Sequence, residues 1–182
     1  MTTPPPEPWA RRAAHLAVLS VLPSGLWRTA LAFGVPLGYD ERTLHDKFGL
    51  PGAGATAFLL SLTALIELLA FLTLGLVRPW GERVPRWIPV LGGRAVNPRL
   101  VVAAAGTGAV LLTLVLTVTA GTQVALQVGD GALRGGWLWL LFACYAPLAA
   151  WGPLLAAVTV SYHRRHRPVR RLSVPEPTLY RV

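Results

Sequence analysis

Apolar residues in this chain are gathered into four long blocks that are separated by short polar stretches. The blocks cover about residues 13–35, 54–77, 100–121 and 136–162. Within them, apolar side chains occur at most positions instead of recurring at a helical period, which is typical of helices in lipid. Each block is long enough to cross a hydrocarbon core of about 30 Å as a helix. The pattern therefore predicts an all-α integral membrane protein built as a four-helix bundle.

The first block is the least regular of the four, because Pro23, Gly25 and Arg28 interrupt it. A cleavable signal peptide is the alternative interpretation, with the arginines at 11–12 as its basic region and residues 30–32 as its cleavage site. Apolar residues continue past the point where the hydrophobic part of a signal peptide would end. This continuation favours a span that is retained.

Basic residues are distributed unequally between the polar stretches. Five arginines follow the second block and six follow the fourth, whereas the first and third blocks are followed by two basic residues and one. Because Lys and Arg accumulate on the cytoplasmic side of a membrane, we expect the N-terminus and the C-terminus to be cytoplasmic. Residues 1–12 are then a disordered N-terminal segment and residues 163–182 a basic tail. The expected location is the plasma membrane, the inner membrane of a bacterium.

The overall composition agrees with a membrane protein, since 53% of the residues are apolar and only 14% are charged. A net charge of +9 would by itself favour a nucleic-acid partner. The positive charges, however, lie at the ends of apolar blocks, and no nucleic-acid-binding motif accompanies them. We therefore expect no nucleic-acid partner. The single cysteine, Cys144, excludes an internal disulfide.

Two charged residues inside the blocks, Arg28 and Glu67, are the candidate site residues. A charge at the middle of a bilayer costs about 2.5 to 3.5 kcal/mol, so such residues usually have a specific role. Counted at 1.5 Å per residue from the predicted outer ends, Arg28 lies about 10 Å and Glu67 about 20 Å below the outer surface. An extended arginine could cover much of that difference. One hypothesis is a structural ion pair, and the other is a site for protons, ions or a polar substrate.

Arginines beside the second and fourth blocks are candidate contacts for lipid headgroups. Clusters of this kind attract anionic lipid on the cytoplasmic side by about 1 kcal/mol per charge. A role only in setting the topology is the alternative explanation. The candidates are Arg78, Arg83, Arg86, Arg164, Arg165, Arg167, Arg170 and Arg171.

Neither a metal site nor a catalytic site is predicted. Residues 39–47 gather three carboxylates and a histidine, which are donors that divalent cations use. Their spacing matches no known ligand motif, and mixed charges in a short loop are usually solvated. The chain also contains no hydrolase nucleophile elbow, no zinc-protease helix motif and no phosphate-binding glycine loop. No cofactor is therefore expected, and nothing in the sequence argues positively for an enzyme.

The stretch Leu74–Pro89, together with Pro23–Arg28 upstream, resembles a group of uncharacterised multi-pass membrane proteins of actinobacteria. Its most distinctive part is Arg-Pro-Trp-Gly-Glu-Arg at 78–83. The abundance of Arg, Ala and Gly fits a genome of high GC content. The resemblance implies the membrane class and brings no activity, cofactor or site residue with it.

The functional expectation is correspondingly general. The leading hypothesis is an accessory, scaffolding or regulatory component that works with another membrane protein or as a homo-oligomer. The alternative is a small transporter or channel-like subunit that uses Arg28 and Glu67. A membrane enzyme ranks third.

Overall fold

The computed structural model describes residues 5–81, 97–130, 133 and 135–166, with the backbone alone for residues 120–130. Six α-helices form within this part of the chain, and it contains no β-strand. They are α1 (Pro8–Ala32), α2 (Glu41–Phe48), α3 (Ala53–Thr73), α4 (Pro98–Asp130), α5 (Gly136–Tyr145) and α6 (Trp151–Arg165). Short 3₁₀ segments extend α3 over Leu74–Val77 and join α5 to α6 over Ala146–Ala150.

Three helical stretches among the described residues are long and apolar enough to cross a membrane: Ala53–Val77, Pro98–Thr119 and Gly136–Arg165. These stretches coincide closely with the second, third and fourth apolar blocks. The all-helical prediction is thus confirmed for the described residues, with three candidate membrane-spanning helices. Helix α1 has a comparable length of 25 residues but is less apolar, so a fourth span stays a prediction.

Helix α1 begins earlier than the sequence pattern indicated. Residues 8–12, which were assigned to a disordered N-terminal segment, form its first turns. Pro8 occupies the first turn, where a missing N–H costs nothing and a fixed φ angle favours the helix. Ala10 is then fully buried against the other helices, which explains why this end is ordered.

Helix α1 is one of two inner helices, because it packs against both α3 and α6, while α6 packs against α1 and α4. The side chains that it buries there are mostly small. Small residues let helix backbones approach closely, which is the main source of helix association in lipid. The buried small residues of α1 are Ala10, Ala13, Ala14, Ala17, Ser20, Ser24, Gly25 and Ala32.

Helix α1 packs between α3 and α6, and α4 packs mainly on α6, while the carboxyl end of α3 also meets α6. Helix α3 is antiparallel to α1, and α4 to α6: Thr56 on α3 contacts Ala32 on α1, and Thr113 on α4 lies beside Gly152 on α6. Among the described residues, no comparable packing joins α3 to α4. In lipid the exposed apolar sides of these two helices have no reason to be covered.

The fourth apolar block is interrupted at Pro147, which lies in the 3₁₀ segment between α5 and α6. Proline lacks the N–H that an α-helix needs and collides with the carbonyl four residues earlier. Just beyond it, the Trp151 indole is buried and donates a hydrogen bond to Thr73 Oγ1 at 3.4 Å. That bond joins α6 to α3 directly.

The contact between α4 and α6 depends on the absence of a side chain at Gly152. A Cβ built there would lie 3.1 Å from the backbone nitrogen of Thr113 and would overlap the Thr113 hydroxyl. We expect Gly152→Ala to lower the free energy of unfolding by about 1 to 3 kcal/mol, because a helix backbone cannot move aside cheaply. Thermal unfolding in a mild detergent measures this.

Gly106→Ala is the matched control, since nothing lies within 4 Å of a Cβ at that position of α4. Alanine favours a helix over glycine by about 1 kcal/mol, so this variant should be as stable as the wild type or more stable. Equal melting temperatures for the two variants would contradict the proposed packing.

Candidate functional site

Arg28 lies in the last third of α1 and is buried, with only 6% of its surface exposed. Its Nε donates a hydrogen bond to Thr63 Oγ1 on α3 at 3.2 Å. The Thr63 hydroxyl in turn donates to the carbonyl of Leu59 at 2.8 Å. Thr63 is thus the link through which the buried guanidinium is held between the two helices.

The remaining N–H donors of the Arg28 guanidinium are only partly used in hydrogen bonds. Its Nη2 is buried and has no hydrogen-bond acceptor among the described residues. The guanidinium carbon lies 6.0 Å from the centre of the Tyr145 ring on α5, which is within range of a cation–π interaction. A buried donor without an acceptor costs about 1 to 3 kcal/mol. Arg28 therefore retains an unused donor inside the apolar part of the protein.

Glu67 lies on α3 one turn beyond Thr63 and is half-buried. Its Oε1 packs against Gly25 of α1, where an added Cβ would come within 2.5 Å. In the part of the chain that the structure describes, Glu67 has no hydrogen-bond partner, and no direct ion pair joins it to Arg28.

The structure thus brings Arg28 and Glu67 into one polar layer without joining them. Since Arg28 faces Thr63 and Gly25 faces Glu67, the two charges are offset by about one turn, roughly 6 Å along the helix axes. This is closer than the sequence estimate. We define the polar layer as Arg28, Thr63, Glu67 and Tyr145.

Tyr145 is the member of this layer that the sequence did not reveal. It sits among apolar residues in the fourth block, and only the packing of α5 against α1 places it beside Arg28. The other hydroxyls near the layer are already used: Ser24 donates to the carbonyl of Val21 and Thr56 to that of Ala32.

The candidate headgroup arginines differ in their surroundings. Arg78 and Arg164 are exposed. Arg165, in contrast, is half-buried and its Nη2 donates to the carbonyl of Leu76 at 2.6 Å, with its guanidinium over the Tyr162 ring. It therefore caps the carboxyl end of α3 from α6, where a cation is favoured by the helix dipole. Arg83, Arg86, Arg167, Arg170 and Arg171 lie outside the described residues.

At the opposite end of the helices, the polar connection between α1 and α3 forms the short helix α2. Asp40 caps it by accepting a hydrogen bond from the backbone N–H of Thr43 at 2.8 Å. Hydrogen bonds from the Thr43 side chain and backbone hold the pKa of Asp40 below its ordinary value of 3.8. Within the described chain, no three His, Cys, Asp or Glu side chains converge as metal ligands would.

No protein-family model, curated protein sequence or solved structure matches the chain significantly.

The hydrogen bond between Arg28 and Thr63 can be tested by a double-mutant cycle. Thr63→Val removes the hydrogen-bond acceptor of the Arg28 Nε and should lower the free energy of unfolding by about 1 to 3 kcal/mol. Arg28→Met removes the buried charge and should leave the protein as stable as the wild type or more stable. In the double variant the loss caused by Thr63→Val should largely disappear.

Thr117→Val on α4 is the control, because its hydroxyl bonds only to the Thr113 carbonyl of its own helix. Thermal unfolding in a mild detergent compares the four proteins and the control. Additive effects of Arg28→Met and Thr63→Val would show that the bond contributes nothing to stability.

Arg164 and Arg165 offer a matched pair at the end of α6. Arg165→Ala breaks the contact with the Leu76 carbonyl and should lower the free energy of unfolding by about 1.5 to 3 kcal/mol, the range for a hydrogen bond to a charged group. Arg164→Ala, which removes an exposed charge, should change it by less than about 0.5 kcal/mol. Urea unfolding in detergent measures both, and an equal loss in the two variants would contradict the capping role.

Proposed function

We propose that this chain is a four-span protein of the bacterial inner membrane that serves as an accessory component by binding another membrane protein at the polar layer. The three candidate spans support the membrane location. Glu67 is the observation that carries the proposed role, because its carboxylate lies within a candidate span without a hydrogen-bond donor among the described residues.

Helix α1 is proposed as the fourth span. As a helix of 25 residues it is about 37 Å long, and its neighbours α3 and α6 lie along it. The side of α1 that faces away from them exposes Leu16, Leu19 and Leu26, which suit lipid. Cleavage after residue 32 would remove the helix on which both neighbours pack, which favours a retained span over a signal peptide.

The orientation with both termini in the cytoplasm remains the proposal made from the basic residues. The antiparallel packing supports it in part, since the start of α1 and the end of α6 lie at one end of the helices. The exposed Arg78 and Arg164 belong to that end, where anionic headgroups would be their partners.

The partner is expected to be a membrane helix that carries a hydrogen-bond donor at the depth of Glu67. A carboxylate facing lipid is costly, and it is satisfied either by a proton or by a donor from another helix. Helix α3 presents Glu67 at its flank, with the small residue Ala64 exposed one turn away. A small neighbour allows a second helix to approach closely. This surface can therefore accept a helix without rearrangement of α1.

A photo-reactive amino acid placed at Ala64 tests this in bacterial membranes. We expect one discrete cross-linked product of defined mass, which is lost in the Glu67→Gln background although the variant retains its melting temperature. Leu114, exposed on α4, is the control position and should give no such product. A product of twice the mass of the chain would identify the partner as a second copy.

The proposal fails if the product from position 64 persists in Glu67→Gln, or if position 114 gives the same product in equal yield. In either case the contact is not directed by the carboxylate.

A small transporter is the second candidate, and the unused donor on Arg28 favours it. A buried guanidinium nitrogen next to an aromatic ring can hold an anionic group in transit. The two functions differ in what Glu67→Gln does to the purified protein in vesicles. A transporter predicts loss of ion flux with normal folding, whereas an accessory protein shows no flux in either form.

A further inference from the structure

A cleft of about 780 Å³ lies at the α2 end of the helices. It is bounded by the end of α1, by one face of α2 and by the start of α3. This volume is in the range of sites for small molecules. The apolar residues that line it are Leu31, Ala32, Phe33, Leu44, Leu50 and Pro51.

The polar side of the cleft comes mainly from α2. Glu41 and His45 both line it, since residues four apart share one face of a helix. The remaining charged residues of α2, which are Arg42, Asp46 and Lys47, do not line the cleft. Among the described residues around it, Glu41 therefore supplies the single fixed charge, and that charge is negative.

This cleft is held in shape before any ligand arrives. Thr56 donates to the carbonyl of Ala32 at 3.3 Å and so fixes the wall of α3 to the wall of α1. The cap from Asp40 fixes the first turn of α2, where Glu41 lies. Leu44 and Phe48 pack against a buried cluster that includes Trp27 and Leu50, which anchors the rest of α2. A preformed site loses less entropy on binding.

We propose that the cleft binds the ammonium headgroup of a phospholipid, with Glu41 as the partner of the ammonium group. The apolar wall accepts the glycerol and the first part of an acyl chain, while the Nδ1 of His45 is taken up by Asp46, whose Oδ1 lies 3.3 Å away. The inference depends on the proposed placement of α1 and α3 as spans. That placement puts the cleft, between the end of α1 and the start of α3, at the depth of headgroups.

The chemistry selects among the lipids of a bacterial membrane. A single carboxylate without a lining Lys or Arg favours a zwitterionic lipid with a primary ammonium group, such as phosphatidylethanolamine. The same charge disfavours phosphatidylglycerol, which is anionic and carries no cation to offset it. The selectivity is thus opposite to that expected for the arginines at the other end of the helices.

Native mass spectrometry of the full chain in detergent, with either lipid added at equal concentration, tests the inference. We expect the wild type to retain phosphatidylethanolamine several-fold more than phosphatidylglycerol. Glu41→Gln should abolish this preference, and Glu41→Lys should reverse it in favour of phosphatidylglycerol. Arg42→Gln removes a charge of α2 that does not line the cleft and should bind like the wild type.

Equal retention of the two lipids by the wild type would overturn the inference, as would a preference that survives Glu41→Lys or is lost in Arg42→Gln. Position 64 on α3 does not line the cleft, so Glu41→Lys should leave the cross-linked product formed from position 64 unchanged. Failure of the lipid preference can thus be distinguished from failure of the proposed partner contact.

Discussion

The close approach of α1 to α3 and α6 is the contact on which the rest of this structure depends. Ala10, Ala14 and Ala17 are fully buried along it, and side chains this small let the helix backbones approach closely. In lipid, apolar surface is not driven together as it is in water, so helices associate through close packing. Contacts at the carboxyl end of α3, such as Trp151 with Thr73 and Arg165 with the Leu76 carbonyl, follow from this alignment.

The same packing creates the polar layer. Gly25 leaves the space that the Glu67 carboxylate occupies, and the nearness of α3 brings Thr63 within reach of Arg28. A buried charge is costly unless its hydrogen-bonding capacity is used, yet one nitrogen of Arg28 has no acceptor among the residues described. Apolar residues of similar size would pack here at lower cost. The two charges therefore do not add to the stability that apolar residues would give here, which agrees with the role proposed for the polar layer.

The sequence predicts features that depend on a local run of residues better than features that depend on contacts between helices. The fourth block was expected at residues 136–162 and the corresponding stretch runs over Gly136–Arg165, because a long apolar run is a local property. The sequence did not reveal that α1 packs between α3 and α6. Hydropathy measures how well a segment suits lipid, whereas α1 is recognised by the small residues that it buries. The spacing of Ala10, Ala14 and Ala17 was the available signal.

For the side chains of the polar layer, the sequence identifies the charged residues but not which residues they contact. Arg28 and Glu67 stand out in any apolar block, but the register of one helix against another depends on contacts between distant segments. Tyr145 could not be assigned to the layer without that register. Arg164 and Arg165 are equivalent in sequence, and only the carbonyl of Leu76 distinguishes them.

Exposure of apolar surface means different things in water and in lipid, and this decides where a partner should be sought. Helix α4 exposes Leu111, Leu114 and Val118, which in water would indicate a binding surface. Within a membrane these side chains are solvated by acyl chains, so their exposure says nothing about a partner. A carboxylate at the flank of α3 is different, because lipid cannot supply a hydrogen-bond donor. In a membrane, a polar group without a hydrogen-bond partner is therefore a better sign of a binding surface than exposed apolar side chains. This criterion points to Glu67 and not to the larger exposed surface of α4.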